Sequence, residues 1–125
     1  MRCRLLLPAV FSLLWSPALF AAPIAKPVEW TIGGDTFAGV LVYDDAVKQP
    51  RPGLVMVPNW LGVNPDSAKK AARAAGDKYV IFMADMYGKA IRPSNAEEAG
   101  TAAGALRGDR GLMRKRAQAA VEVLK

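Results

Sequence analysis

Gly53-Leu54-Val55-Met56-Val57-Pro58-Asn59-Trp60-Leu61-Gly62-Val63-Asn64-Pro65-Asp66 is the stretch that decides the fold. Its first five residues are apolar without alternation, which reads as a strand covered on both faces. Pro58 ends that strand, because proline has no N–H to give to a ladder. Asn59 to Asn64 reads as a loop. Asn64-Pro65-Asp66 then starts a helix: Asn64 can cap it, Pro65 suits the first helical position, and Asp66 favours the positive end of the helix dipole. Ala68, Ala71, Ala72 and Ala75 follow at helical spacing, and Gly76 stops the helix.

Working outward, Tyr79-Val80-Ile81-Phe82-Met83-Ala84 is a second apolar run of the buried type. Strand, helix and strand in this order make a βαβ unit, whose two strands should be parallel and whose crossover should be right-handed. Asp85 to Pro93 is another loop. Ser94-Asn95-Ala96-Glu97 has the form of a capping box and places the next helix at about residues 95–106. Asp109 can cap a last helix, with Met113, Ala117, Ala120, Val121 and Leu124 as its apolar stripe. Upstream, residues 22–27 read as a short lead. Val28 to Ile32 and Thr36 to Tyr43 read as strands joined through the turn signal Gly33-Gly34-Asp35. The expected class is α/β: a β-hairpin, a parallel βαβ unit and two further helices, with the sheet still incomplete at residue 125.

The first residues have the form of a secretory signal. Arg2 and Arg4 precede an apolar stretch from Leu5 to Leu14, and small residues follow up to Ala21-Ala22-Pro23. Cleavage is expected after Ala21, leaving residues 22–125 as an exported chain, periplasmic or secreted. The competing reading, an uncleaved membrane anchor, is disfavoured by Pro8 and Pro17, which interrupt a run already short for a span. Cys3, the one cysteine of the 125 residues, lies in the segment to be removed, so a mature chain would hold no disulfide.

The sequence contains no histidine, which excludes a Ser-His-Asp triad and a His-ligated metal site within these residues. No metal and no cofactor is expected. The formal charge is +6, and once Arg2 and Arg4 are set aside the surplus falls in residues 105–125. A basic stretch of this kind is either the solvated face of a helix or a patch for an anionic surface. It has no interleaved aromatics for base stacking, and export argues against a nucleic-acid partner.

In open α/β sheets, chemistry gathers at the C-terminal ends of the strands. Two loops occupy such ends here, Pro58 to Asn64 and Asp85 to Pro93. The first leads into a helix N-terminus, where unpartnered N–H groups can stabilise an anion such as the oxyanion of an attacked ester. Both loops carry a resemblance. Val55 to Asn64, with Gly62-Val63-Asn64 at its end, is similar to the corresponding segment of the dienelactone hydrolase family. Ala84-Asp85-Met86-Tyr87-Gly88 resembles the family's Asp-Leu-Tyr segment.

The resemblance extends over about residues 28–125 and implies an α/β-hydrolase that cleaves a small-molecule ester or lactone. It implies a Cys or Ser nucleophile on a sharp strand-to-helix turn, with Asp and His completing the triad. No Gly-x-Ser-x-Gly or Gly-x-Cys-x-Gly occurs in this chain, so those residues are expected beyond Lys125. The resemblance makes the backbone N–H of Trp60 the candidate oxyanion donor; alternatively Trp60 covers the edge of the core. Asn59 stands where the family has a glutamate and is either a pocket residue or a plain turn residue. Asp85 and Tyr87 are candidates for the pocket mouth, Asp85 alternatively fixing its loop by accepting backbone hydrogen bonds. Arg92 is a candidate for attracting a substrate carboxylate. Ser67 and Ser94 are read as structural. The competing functional readings are a non-catalytic exported binding protein and an inactive truncated product.

Overall fold

The computed structural model describes residues 23–125. The expected signal segment and Cys3 lie outside the described residues. Two long strands, β1 (Ile24–Ile32) and β2 (Asp35–Tyr43), form the hairpin. Then come β3 (Gly53–Met56), α1 (Pro65–Ala75) and β4 (Val80–Met83), followed by α2 (Ala96–Gly108) and α3 (Arg110–Leu124). The strand order is β1-β2-β4-β3. β3 and β4 are parallel, as a crossover through α1 requires, whereas β2 meets both β1 and β4 antiparallel.

The hairpin turns through Gly33 and Gly34, with φ of 61° and 92°. Two positive φ values in a two-residue turn match the right-handed twist of the strands it joins, and glycine adopts them at little cost. β1 begins four residues earlier than expected: Ile24 to Pro27 belong to the strand. Pro27 masks this in the sequence, yet proline is tolerated because β1 lies at a rim of the described sheet, with a ladder on one side only. β3 differs from expectation too. Leu54 is 42% and Val57 56% exposed, because β3 occupies the other rim and pairs only with β4 among the described strands.

Alternation along the strands sorts side chains into two layers. On one face Val42 and Ile81, with Val40 and Met56, meet Ala71 and Ala75 of α1. On the other, Phe82, with Val28, Trp30, Leu41 and Val55, meets Ala120, Ala117 and Met113 of α3. The sheet is therefore covered on both sides, and burial of a side chain such as Phe82 contributes about 2–3 kcal/mol. Alanine on the inner faces of α1 and α3 lets both helices lie near the sheet. In α3, Val121 is exposed and Val123 packs instead, which corrects the expected stripe: the arc centred on the fully buried Ala120 takes in Val123 and Leu124.

Both expected cap sites of the βαβ unit and the last helix hold. Asn64 accepts from the Ser67 N–H at 2.9 Å, and Asp109 from the Leu112 N–H at 2.8 Å. The capping box of α2 sits one residue later than the sequence pattern places it. Asn95, not Ser94, is the cap and accepts from the Glu98 N–H at 3.0 Å. Glu98 reaches back to the Ser94 N–H and hydroxyl at 2.8 and 3.0 Å, and Glu97 takes no part. Asn is as good a cap as Ser, so the local pattern supports either frame.

Candidate active site

The C-terminal ends of the parallel strands β3 and β4 point to the same end of the sheet, and two loops meet there. The first is a tight turn. The Gly62 N–H donates to the Asn59 carbonyl at 2.8 Å, and the Asn59 side-chain oxygen accepts from the Leu61 N–H at 3.1 Å. Gly62 has φ 70°, which turns the chain towards α1. The buried Ser67 hydroxyl donates to the Gly62 carbonyl at 2.9 Å, so Ser67 anchors the turn to the helix. The Trp60 N–H donates to no acceptor among the described residues, and Trp60 is 47% exposed.

The second loop is built on Asp85. Its side chain is 1% exposed, and both carboxylate oxygens are used. One accepts the N–H groups of Tyr87 and Gly88, each at 3.0 Å. The other accepts from the Ala38 N–H and from Arg92 Nη2, each also at 3.0 Å. Continuing the β2–β4 register would set Ala38 opposite Asp85. Where the backbone ladder stops, the carboxylate takes the Ala38 N–H and Arg92 donates to the Ala38 carbonyl at 3.0 Å. Arg92 Nη1 caps the carbonyls of Gly88 and Ile91 at 2.7 and 2.9 Å. A buried carboxylate is tolerable only with this degree of hydrogen bonding and an opposite charge.

Tyr87 connects the loops. Its hydroxyl donates to the Trp60 carbonyl at 2.9 Å. Burial pushes its pKa above the ordinary value, a rise that the nearby Arg107 partly offsets. Asn59, Trp60, Gly62 and Tyr87 line one small cavity of about 70 Å³, closed by Met86 and by Leu106 of α2. The structure thus brings Asn59, Trp60 and Tyr87 together. Asp85 lies beneath them, and Arg92 lines a separate groove with Glu97 and Glu98. Leu106, Met86 and the neighbouring Arg107 are site neighbours that the sequence reading missed. Nothing local in α2 signals which of its residues faces a loop so distant in sequence.

The chemistry available here is that of oriented donors: an unpartnered N–H beside a helix N-terminus, in a partly enclosed setting. Among the described residues no group of His, Cys, Asp and Glu could hold a metal ion, and no helix is long and apolar enough to cross a membrane.

No curated protein matches the chain. Among solved structures it is similar to m3DLH, at 30% identity and TM-score 0.72. It is also similar to a dienelactone hydrolase-like promiscuous phosphotriesterase from metagenomic libraries, at 33% identity and TM-score 0.75. Each comparison covers 83% of this chain and 43% of the other, so the chain spans less than half the length of these structures and matches the N-terminal part of their fold. The profile described as the dienelactone hydrolase family matches residues 37–125, taking in both loops and all three helices, and the chain belongs to that family.

Proposed function

We propose that this chain is the N-terminal part of an exported hydrolase of carboxylic esters or lactones, in which residues 57–64 supply one side of an oxyanion hole. The observation that supports this reading is the unpartnered Trp60 N–H, held in a hydrogen-bonded turn at the end of a parallel strand and before a capped helix. In the proposed reaction a thiol or hydroxyl nucleophile, carried beyond Lys125, attacks the carbonyl carbon. The carbonyl π-electrons move onto oxygen, where the Trp60 N–H stabilises the developing charge. Collapse of the tetrahedral intermediate breaks the bond to the leaving oxygen, which takes up the proton given up by the nucleophile and departs as the alcohol, or remains as a hydroxyl on the acyl chain when the substrate is a lactone. Water then attacks the acyl-enzyme, releasing the acid and restoring the nucleophile.

A cavity of about 70 Å³ has room for about two waters, so the bulk of a substrate would be held by residues beyond those described. Phosphotriesters are a second substrate class to assay, since one similar structure is that of a promiscuous phosphotriesterase.

The complete coding frame and its product test the reading. A downstream Gly-x-Cys-x-Gly or Gly-x-Ser-x-Gly turn followed by Asp and His, together with turnover of p-nitrophenyl acetate, supports it. A stop codon after Lys125, or a complete product inert towards esters and lactones, removes it. Export is tested by N-terminal sequencing of the secreted or periplasmic protein, expected to begin at Ala22.

A further inference from the structure

We propose that Tyr87 is a positioning residue for the oxyanion-hole turn: its phenol tethers the turn to the second loop through the Trp60 carbonyl, and the buried Asp85 carboxylate fixes Tyr87. The inference rests on the hydrolase reading and extends it from the donor itself to what aims the donor.

The turn has four internal or neighbouring ties, namely the Gly62 N–H to the Asn59 carbonyl, the Leu61 N–H to the Asn59 side chain, and the Ser67 hydroxyl and the Asn64 side-chain amide to the Gly62 carbonyl. The Gly62 bond holds the Asn59–Trp60 peptide, which carries the donor N–H, and the Leu61 bond holds the next peptide at its N–H end, but every one of these ties is local to residues 59–67. The Tyr87 hydroxyl ties the turn to the second loop, donating to the Trp60 carbonyl at 2.9 Å from a residue 27 positions away. Tyr87 can act as a fixed point because its own N–H, and that of Gly88, end on Asp85, whose second oxygen is tied to β2 through Ala38. The path from sheet to donor therefore runs Ala38, Asp85, Tyr87, Trp60. The ring has a second constraint. It lies so close to Gly62 that a Cβ there would sit 3.2 Å from Tyr87 Cδ2, so only glycine lets the ring approach the turn this closely without a neighbour giving way.

Removing the hydroxyl affects direction more than stability. Trp60 is half exposed, so water can replace the phenol at its carbonyl, and the fold loses little. Water does not tether the turn to the second loop, so the turn can shift against the sheet. A donor that must meet an oxyanion within a few tenths of an ångström then loses effectiveness in the transition state, while ground-state binding is untouched.

The test is Tyr87→Phe in the complete protein, read in two ways. With p-nitrophenyl acetate, kcat should fall roughly tenfold with KM within about twofold of wild type. By hydrogen exchange, the Leu61 and Gly62 amides should open roughly tenfold faster, with protection in β2 and β4 unchanged. Unchanged kcat together with unchanged exchange overturns the proposal. So does a variant in which KM rises, kcat falls and exchange accelerates throughout the sheet, because the tyrosine is then merely structural. If the wild-type protein hydrolyses no ester, the hydrolase reading fails by itself. The positioning claim is then decided by exchange alone: faster opening confined to residues 57–64 upholds it, and unchanged opening overturns it.

Discussion

Gly39 lies where β2 passes against β4, and a Cβ there would fall 2.5 Å from the Met83 carbonyl oxygen and 2.9 Å from the Phe82 ring. Neither neighbour can yield, since one is backbone and the other the centre of a packed layer. Gly39→Ala should therefore cost about 3 kcal/mol or more in urea unfolding, at the upper end for overpacking. At Trp60 the argument separates backbone from side chain. Trp60→Pro deletes the N–H and should lower kcat about a hundredfold in the complete protein, whereas Trp60→Ala keeps the N–H and should stay within several-fold of wild type. Equal losses in both variants, measured by steady-state kinetics, would transfer the role from the donor to the indole. Tyr87 adds a pH dependence. Its folded pKa is raised, so the fold favours the protonated phenol. That contribution is complete below the ordinary tyrosine pKa and disappears as pH rises through the higher folded value. Tyr87→Phe should accordingly flatten the stability profile above the ordinary tyrosine pKa of about 10 in denaturant melts.

The elements are held by their caps, and these can be tested one helix at a time. Asn64→Ala should destabilise by about 1 kcal/mol, and by more if the Ser67 hydroxyl loses its second acceptor at 3.1 Å. In α2, the Ser94 backbone N–H, then its hydroxyl, hold the Glu98 carboxyl below its usual range. A depressed folded pKa means stabilisation present above the ordinary carboxylate pKa and lost as pH falls through the folded value. Ser94→Ala should raise the Glu98 titration midpoint, followed by NMR at its side-chain carbon.

How much of this was legible depended on whether the signal was local. Asn64-Pro65-Asp66, the Gly33-Gly34 turn and the two apolar runs are local, and the elements they mark stand where the pattern puts them. Ile24 to Pro27 were hidden because a proline excludes a central strand but not a rim strand, and rim position is a property of the sheet. The same holds for the site. The loop after β3 was readable from the strand-loop-helix sequence, but Asn59 and Trp60 within it stood out only through the family resemblance, and the environment of Arg92 was not readable at all. Its acceptors include the carbonyl of Ala38, 54 residues away, and no local pattern encodes that.

Across the whole molecule, strand order sets behaviour. β4 lies between β2 and β3, which leaves β3 paired on one side among the described strands, next to exposed Leu54, Val57 and Trp60. Residues 23–125 produced alone should therefore associate with rising concentration, seen by sedimentation velocity. Val57→Lys should reduce that association, since a charge at a strand edge opposes pairing. Unchanged sedimentation in the variant would place the contact elsewhere.

The clamp on Ala38 also bears on the order in which the chain can fold. The β1–β2 hairpin needs only neighbouring residues, but Asp85 cannot enter the interior until the Ala38 N–H and Arg92 are both in place. Before that, its carboxylate belongs in water. The turn at Trp60 hangs from the same residue through Tyr87, so its anchorage depends on that carboxylate being in place. A hairpin docked one residue out of register would strand a charge in the core. Correct register is therefore checked by the same carboxylate that aims the site, and a molecule that has misassembled its sheet cannot present an assembled site.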